Sequence, residues 1–324
     1  MTSKTWYSGI KNYRKHTFES GSEGNIFTTE LLDVETQHFN TIQEALAYNL
    51  SGANLPVEVL YSGGIDSEWV LLTCLMHKIP VVAVTMRLMF YGSPVNMADL
   101  YYAEKFCREH NVKHRIVDLE VTSFFENGDH LPLMEPYRFT MFSAATILWL
   151  ITQCESYPVL GGDYTWPQYD NKVYSPHRYD YNAFELFMKD RGITGIGNAL
   201  SYSLESNTIL IKEHLNVHLA DPENTHGDWL TIKNLKERMS ANLGFNIETR
   251  HRSYGWELIV ISPELFDVKR YTDELVEKYG KTDSRIVWGN KLAELLDATP
   301  GSNNCYKSDP DSPHHYAKRF GPQA

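Results

Sequence analysis

Cysteine is scarce in this 324-residue sequence, and positive charge is in deficit. The four cysteines, Cys74, Cys107, Cys154 and Cys305, form no C-x-x-C pair, and no histidine cluster at zinc spacing accompanies them. A closed zinc site needs four convergent ligands at recognisable spacing, so no structural metal centre is expected. Three of the cysteines lie in apolar surroundings and read as reduced core residues. Lys and Arg total 30 against 41 Asp and Glu, a net charge of −11. That balance lacks the broad basic footprint of a nucleic-acid binder, yet leaves room for the small basic pocket that a phosphate needs. The stretch 1–15 is polar and has no apolar h-region, which argues against a signal peptide. The longest apolar run, 139–154, is broken by Thr, Ser and Gln and reads as a buried helix rather than a membrane span. The expectation is a cytoplasmic chain that meets no membrane. There is no internal repeat and no Walker A string. Gly195-x-Gly197 lacks both the third glycine and the preceding strand of a dinucleotide fingerprint.

What the sequence does hold is a core. Hydrophobic residues make up 42%, with 20 Tyr and 7 Trp, enough for one large domain or two ordinary ones. Residues 1–40 read as an irregular N-terminal extension with Gly21 and Gly24 as breakers. Thr41 and Glu44 form a capping box ahead of apolar residues at helical spacing, and Ser51-Gly52 ends that helix. Short apolar runs at 57–61, 79–86, 114–119 and 158–160 read as strands buried on both faces. Between them, 67–76, 97–111 and 139–156 read as helices. This alternation predicts an α/β domain over 41–200, a parallel twisted sheet with helices on both faces. Ligands in such sheets bind beyond the carboxyl ends of the strands. Residues 201–324 read as a mostly helical substrate or interaction region. Helices are expected at 230–243, 271–279 and 291–296 and a strand at 256–261, followed by a mobile tail rich in Pro, Ser, Asn and Asp.

The chemistry concentrates in Ser62-Gly63-Gly64-Ile65-Asp66-Ser67, between the first buried strand and a helix. Paired glycines allow positive φ and bare backbone N–H groups. Two serine hydroxyls and the positive end of the helix add to a site suited to phosphate or pyrophosphate. Asp66 would repel a bare phosphate, which suggests a role with Mg²⁺ or in shaping the turn.

This string resembles the signature of the PP-loop ATP pyrophosphatases, and the resemblance covers residues 40–170. It implies that Ser62, Gly63, Gly64, Asp66 and Ser67 line the pyrophosphate of ATP, and that backbone at Val84, Thr85 and Met86 meets the adenine. Within the superfamily the chain is most similar to the synthetase domain of asparagine and β-lactam synthetases. Gly161-Gly162-Asp163 falls where those enzymes carry a second glycine-rich acidic loop. It departs from them in having no N-terminal glutaminase, so its nitrogen donor would be free ammonia or an amine, and in placing Tyr164 after Asp163. It also lacks the cysteine context of sulfonucleotide reductases and the four-cysteine zinc site of deazaguanine synthases.

Asp66 and Asp163 are thus candidates for Mg²⁺ and catalysis. Lys172 and Arg178 follow the second loop and are the preferred clamps for a departing pyrophosphate, ahead of Arg87, Arg138, Lys269 and Arg270. Asp99 reads as a solvated helix residue. The expected reaction adenylates a small-molecule carboxylate or amide for attack by ammonia or an amine, releasing AMP and pyrophosphate. Base modification of a nucleoside or RNA, and a non-catalytic nucleotide-binding module, are the alternatives. The acidic balance speaks against a nucleic-acid partner without ruling one out, and a homo-oligomer stays open.

Overall fold

The computed structural model describes residues 2–21, 24–53, 56–138, 141–162, 172–174, 179–220, 229–247, 255–280 and 282–287. The chain begins with three antiparallel strands, β1 (Thr2–Ser8), β2 (Arg14–Gly21) and β3 (Gly24–Leu31). The irregular extension read from the sequence is therefore a regular meander. Its inward alternation is hidden because the buried positions of β2 are Arg14, His16 and Phe18, and two of these three are polar. Arg14 ion-pairs with Glu185 at 2.7 Å, both nearly buried. The His16 ring lies 2.6 Å from the Ser8 hydroxyl and 2.9 Å from that of Thr29, and stacks on Trp6.

Helix α1 (Ile42–Leu50) starts on the expected capping box, with both reciprocal hydrogen bonds of Thr41 and Glu44 present. There follow β4 (Val57–Leu60), α2 (Ile65–Met76), β5 (Val81–Phe90), the two-residue β6 (Ser93–Pro94), α3 (Met97–Glu109) and β7 (Lys113–Glu120). Short helices α4 (Val121–Glu126) and α5 (Leu131–Met134) lead to α6 (Phe142–Thr152) and β8 (Tyr157–Leu160). Strands β7, β5, β4 and β8 lie side by side and all parallel, and β6 turns back antiparallel on the end of β5. Alternate residues of these strands enter two separate cores. Val57, Val59, Ala83 and Val159 pack with Val70, Leu71 and Phe106 of α2 and α3. Leu60, Met86, Leu88 and Leu160 pack with α4 and α6 through Phe124, Phe125 and Leu148. A sheet covered on both faces buries most side chains of its central strands, which is why β4 and β8 read as largely apolar runs, whereas β7 keeps Lys113 and Asp118 exposed.

Beyond this sheet come β9 (Lys172–Tyr174), α7 (Tyr179–Asp190), α8 (Leu204–Ala220), α9 (Trp229–Asn242), α10 (Trp256–Val260), α11 (Val268–Tyr279) and β10 (Thr282–Val287). Strand β10 runs parallel to β3 and antiparallel to β9, so a second five-stranded sheet joins the first residues to the last described ones. The strand expected at 256–261 is a helix. A short apolar run carries no decisive period, and here Ile259 is buried while Leu258 and Ile261 stay exposed. The helix expected at 291–296 and the tail lie outside the described residues. Among the described residues no helix is long and apolar enough to cross a membrane.

Candidate active site

Strand β4 hands the chain to the turn while still paired, since the Tyr61 amide donates to the Val84 carbonyl at 2.8 Å. Gly63 then adopts φ +73, and a Cβ there would stand 2.8 Å from the Asp99 carbonyl oxygen. Gly64 differs from expectation: at φ −85 and ψ 152 it is extended and forms the N-cap of α2 with no side-chain cap. The left-handed requirement thus falls on Gly63 alone. The first N–H groups of α2 have no partner within the helix and carry its positive end. Ser67 is buried and donates its hydroxyl back to the Gly64 carbonyl at 3.1 Å, so it shapes the first turn rather than facing outward. Ser62 is half-buried at the bend.

Asp66 holds the decisive contact. Lys236 Nζ donates to both of its carboxylate oxygens, at 2.7 and 2.8 Å, with the two side chains 12% and 19% exposed. Lys236 belongs to α9, and two further contacts fix that helix against α2. Trp69 Nε1 donates to Ser240 Oγ at 2.9 Å, and the Trp69 ring stacks on Phe245. Sequence reasoning passed Lys236 over, because it sits with Lys233 and Arg238 on a charged helix 170 residues downstream. Only the packing of α9 on Trp69 singles it out.

The second glycine loop does meet the first. A Cβ on Gly161 would lie 2.6 Å from the Ser67 amide nitrogen, so only glycine lets β8 end this close to the first turn of α2. Asp163 and Arg178 lie outside the described residues. Lys172 stands in β9, paired with Val287 in the second sheet.

At the expected adenine strand, Val84 accepts from Tyr61, and Thr85 Oγ1 donates to the Tyr61 carbonyl at 2.6 Å while contacting His114 Nε2 at 2.8 Å. Burial holds His114 below the usual histidine range. Asn96 Nδ2 donates to the Met86 carbonyl at 2.8 Å, and its Oδ1 accepts from the Leu88 amide at 2.9 Å. The side-chain amide therefore takes the strand-edge groups that a base would read.

Three of the other candidate cations are committed elsewhere. Arg87 pairs with Asp118 at the surface, Arg138 lies 3.7 Å over the Tyr279 ring, and Arg270 donates to the Tyr271 hydroxyl. Asp99, read as solvated, is buried at 5%. Burial pushes the thiols of Cys74, Cys107 and Cys154 up to about 12, so none is a thiolate near neutrality. Among the described residues no group of three His, Cys, Asp or Glu side chains could hold a metal ion.

No family model matches the chain, and no curated protein does either. Among solved structures the chain is similar to the NH3-dependent NAD synthetase of Campylobacter jejuni, at 18% identity over 65% of this chain and 96% of that one, with a TM-score of 0.29. It is also similar to a predicted subunit of tRNA methyltransferase from Methanocaldococcus jannaschii, at 14% identity over 61% and 93% of the two chains, TM-score 0.29. A third is the U34-tRNA thiolase of Methanococcus maripaludis, at 14% identity over 74% of each chain, TM-score 0.28. Likenesses this slight carry no argument about activity. The PP-loop reading rests instead on a parallel strand, the S-G-G-x-D-S turn and a helix in immediate succession, with the second glycine loop against them.

Proposed function

We propose that the chain binds ATP at loop 62–67 and cleaves it to AMP and pyrophosphate, activating a small-molecule carboxylate or amide for attack by ammonia or an amine. The observation that supports this best is the Lys236 ammonium held on Asp66 at the uncapped head of α2. A cation and the positive end of a helix together suit a pyrophosphate leaving group.

In this reading Lys236 is a cation at the loop, added to the proposed Lys172 and Arg178. A substrate oxygen attacks the α-phosphorus, the bond from that phosphorus to its bridging oxygen breaks, and pyrophosphate leaves with the electron pair. The amine nitrogen then attacks the activated carbon, AMP departs with the C–O pair, and the surplus proton passes to solvent. The backbone of α2 and Lys236 position and neutralise the polyphosphate, so that most of the rate comes from orientation and charge.

Mg²⁺ binds proteins through one or two carboxylates together with phosphate oxygens. Asp66 offers one carboxylate, and Asp163 is the proposed second. When bound, the ion would neutralise phosphate charge. Because Asp66 already accepts from Lys236, a bound metal would have to compete with the ammonium for it.

A second reading is a nucleotide-binding module without turnover. The buried thiols disfavour sulfur insertion into a base. Incubation with Mg-ATP and a panel of amino acids separates these. AMP with pyrophosphate is the expected outcome, ADP with phosphate overturns the proposal, and nucleotide binding with no product favours the module.

A further inference from the structure

Beside the loop, α2, α3 and the segment that closes α9 line a half-open cleft of 590 Å³ that the proposed reaction does not use. Small-molecule sites fall in the range of about 300–1,000 Å³. Its walls differ in character. Leu72, Phe106 and Phe245 are apolar, while Glu68, Lys105 and Glu109 are charged. The apolar side is stiff, because Phe245 is buried and stacked on Trp69 at 5.7 Å with 15° between the rings. Glu68 is 2% exposed and accepts the Tyr61 hydroxyl.

The charges narrow the guest. Apart from the His110 ring, two carboxylates against one ammonium give a negative lining, which disfavours a phosphate or a second nucleotide. Lys105 and Glu109 stand four residues apart on α3, so they neighbour each other on one helix face at about 5–6 Å between Cβ atoms. That spacing suits a ligand whose own opposite charges are close together and joined to an apolar body. We propose that the cavity binds an apolar α-amino acid, its carboxylate on Lys105, its ammonium on Glu109, and its side chain against Leu72, Phe106 and Phe245.

Occupancy bears on the nucleotide loop from two sides. Tyr102, another lining residue, lies behind Gly63, where a Cβ would come within 3.2 Å of it. Phe245 closes the helix that carries Lys236. An amino acid in the cavity thereby ties the two walls that set the Asp66–Lys236 contact, and by linkage it and ATP alter each other's affinity by one common factor. This coupling rests on the ATP reading, whereas the cavity's own ligand does not.

The test is calorimetric titration of the full chain with L-phenylalanine, phenethylamine and 3-phenylpropionate. The unaltered protein is expected to bind L-phenylalanine most tightly. Lys105→Met should weaken it and 3-phenylpropionate about tenfold, and Glu109→Gln should weaken it and phenethylamine about tenfold, as loss of one charge-assisted contact implies. Both side chains lie toward the surface, so the variants are expected to fold. No binding of any probe, or binding that either variant leaves unchanged, overturns the proposal. Titrating ATP into protein saturated with L-phenylalanine keeps the two readings apart. Failure of ATP to bind, with the amino-acid isotherm intact, sinks the loop reading and leaves this one standing.

Discussion

Lys236 Nζ grips both oxygens of Asp66, at 2.7 and 2.8 Å, across 170 residues of sequence. Lys236→Met is expected to fold and to lose most pyrophosphate release, by about 10²–10³-fold, the usual effect of removing one preorganised charge at a reacting phosphate. Lys236→Arg should recover part of that loss, since the charge returns with altered geometry. Radiolabelled-ATP turnover of the two variants checks this. Equal turnover in Lys236→Met and the parent would remove Lys236 from the chemistry.

Asp66→Asn keeps the shape of the turn and removes the charge. It should retain nucleotide affinity and lose turnover by about 10²–10³-fold. The double variant with Lys236→Met is expected to be no worse than the poorer single one, because both changes break one contact. Additive losses would mean that the two residues act separately.

The two loop glycines should respond differently. Gly63→Val places a β-branched residue at φ +73 and drives its Cβ to 2.8 Å from the Asp99 carbonyl, so it is expected to cost stability, by about 1–3 kcal/mol from backbone strain alone. Gly64→Val meets an extended backbone and should cost less stability than Gly63→Val while losing ATP affinity through blocked approach. Thermal melts paired with ATP titrations separate the cases. Parent-like ATP binding by Gly64→Val would show that the loop is only a turn.

Replacing Cys74, Cys107, Cys154 and Cys305 together should leave nucleotide chemistry intact where the protein folds, because burial holds the three described thiols protonated. Loss of turnover with unchanged ATP affinity would instead indicate sulfur transfer.

His16 makes stability depend on pH. Burial, and then Arg14, push it well below the ordinary 6.5, so the folded protein keeps it neutral while the unfolded chain takes up a proton. Its contribution is complete above about pH 6.5 and declines as pH falls below that value. His114 and His130 shift the same way, chiefly by burial. Melting temperature should therefore drop from pH 7 to pH 5, and His16→Gln should flatten the curve. An unchanged slope would show that His16 titrates alike in both states.

The parallel sheet was legible because strands covered on both faces are largely apolar, as β8 is and as β4 is apart from Glu58, which is buried in an ion pair with Arg115. The turn at 62–67 was legible because paired glycine, serine and aspartate between such a strand and a helix have one strong physical reading. The N-terminal meander was not, since Arg14 and His16 carry its inward face and only Glu185, Ser8 and Thr29 make them buriable. Lys236 was hidden for a related reason: its partner Asp66 lies on a helix 170 residues away, and no local period marks it.

The pairing of β3 with β10 also orders events during synthesis. Residue 31 leaves the ribosome roughly 250 residues before residue 282, a delay of about 12–50 s at ordinary elongation rates. Through that interval the meander's β3 edge waits for its parallel partner, and an open strand edge is a template for the wrong chain. Nascent protein stalled before residue 282 should therefore be the aggregation-prone species, rescued by a holdase that covers one short strand.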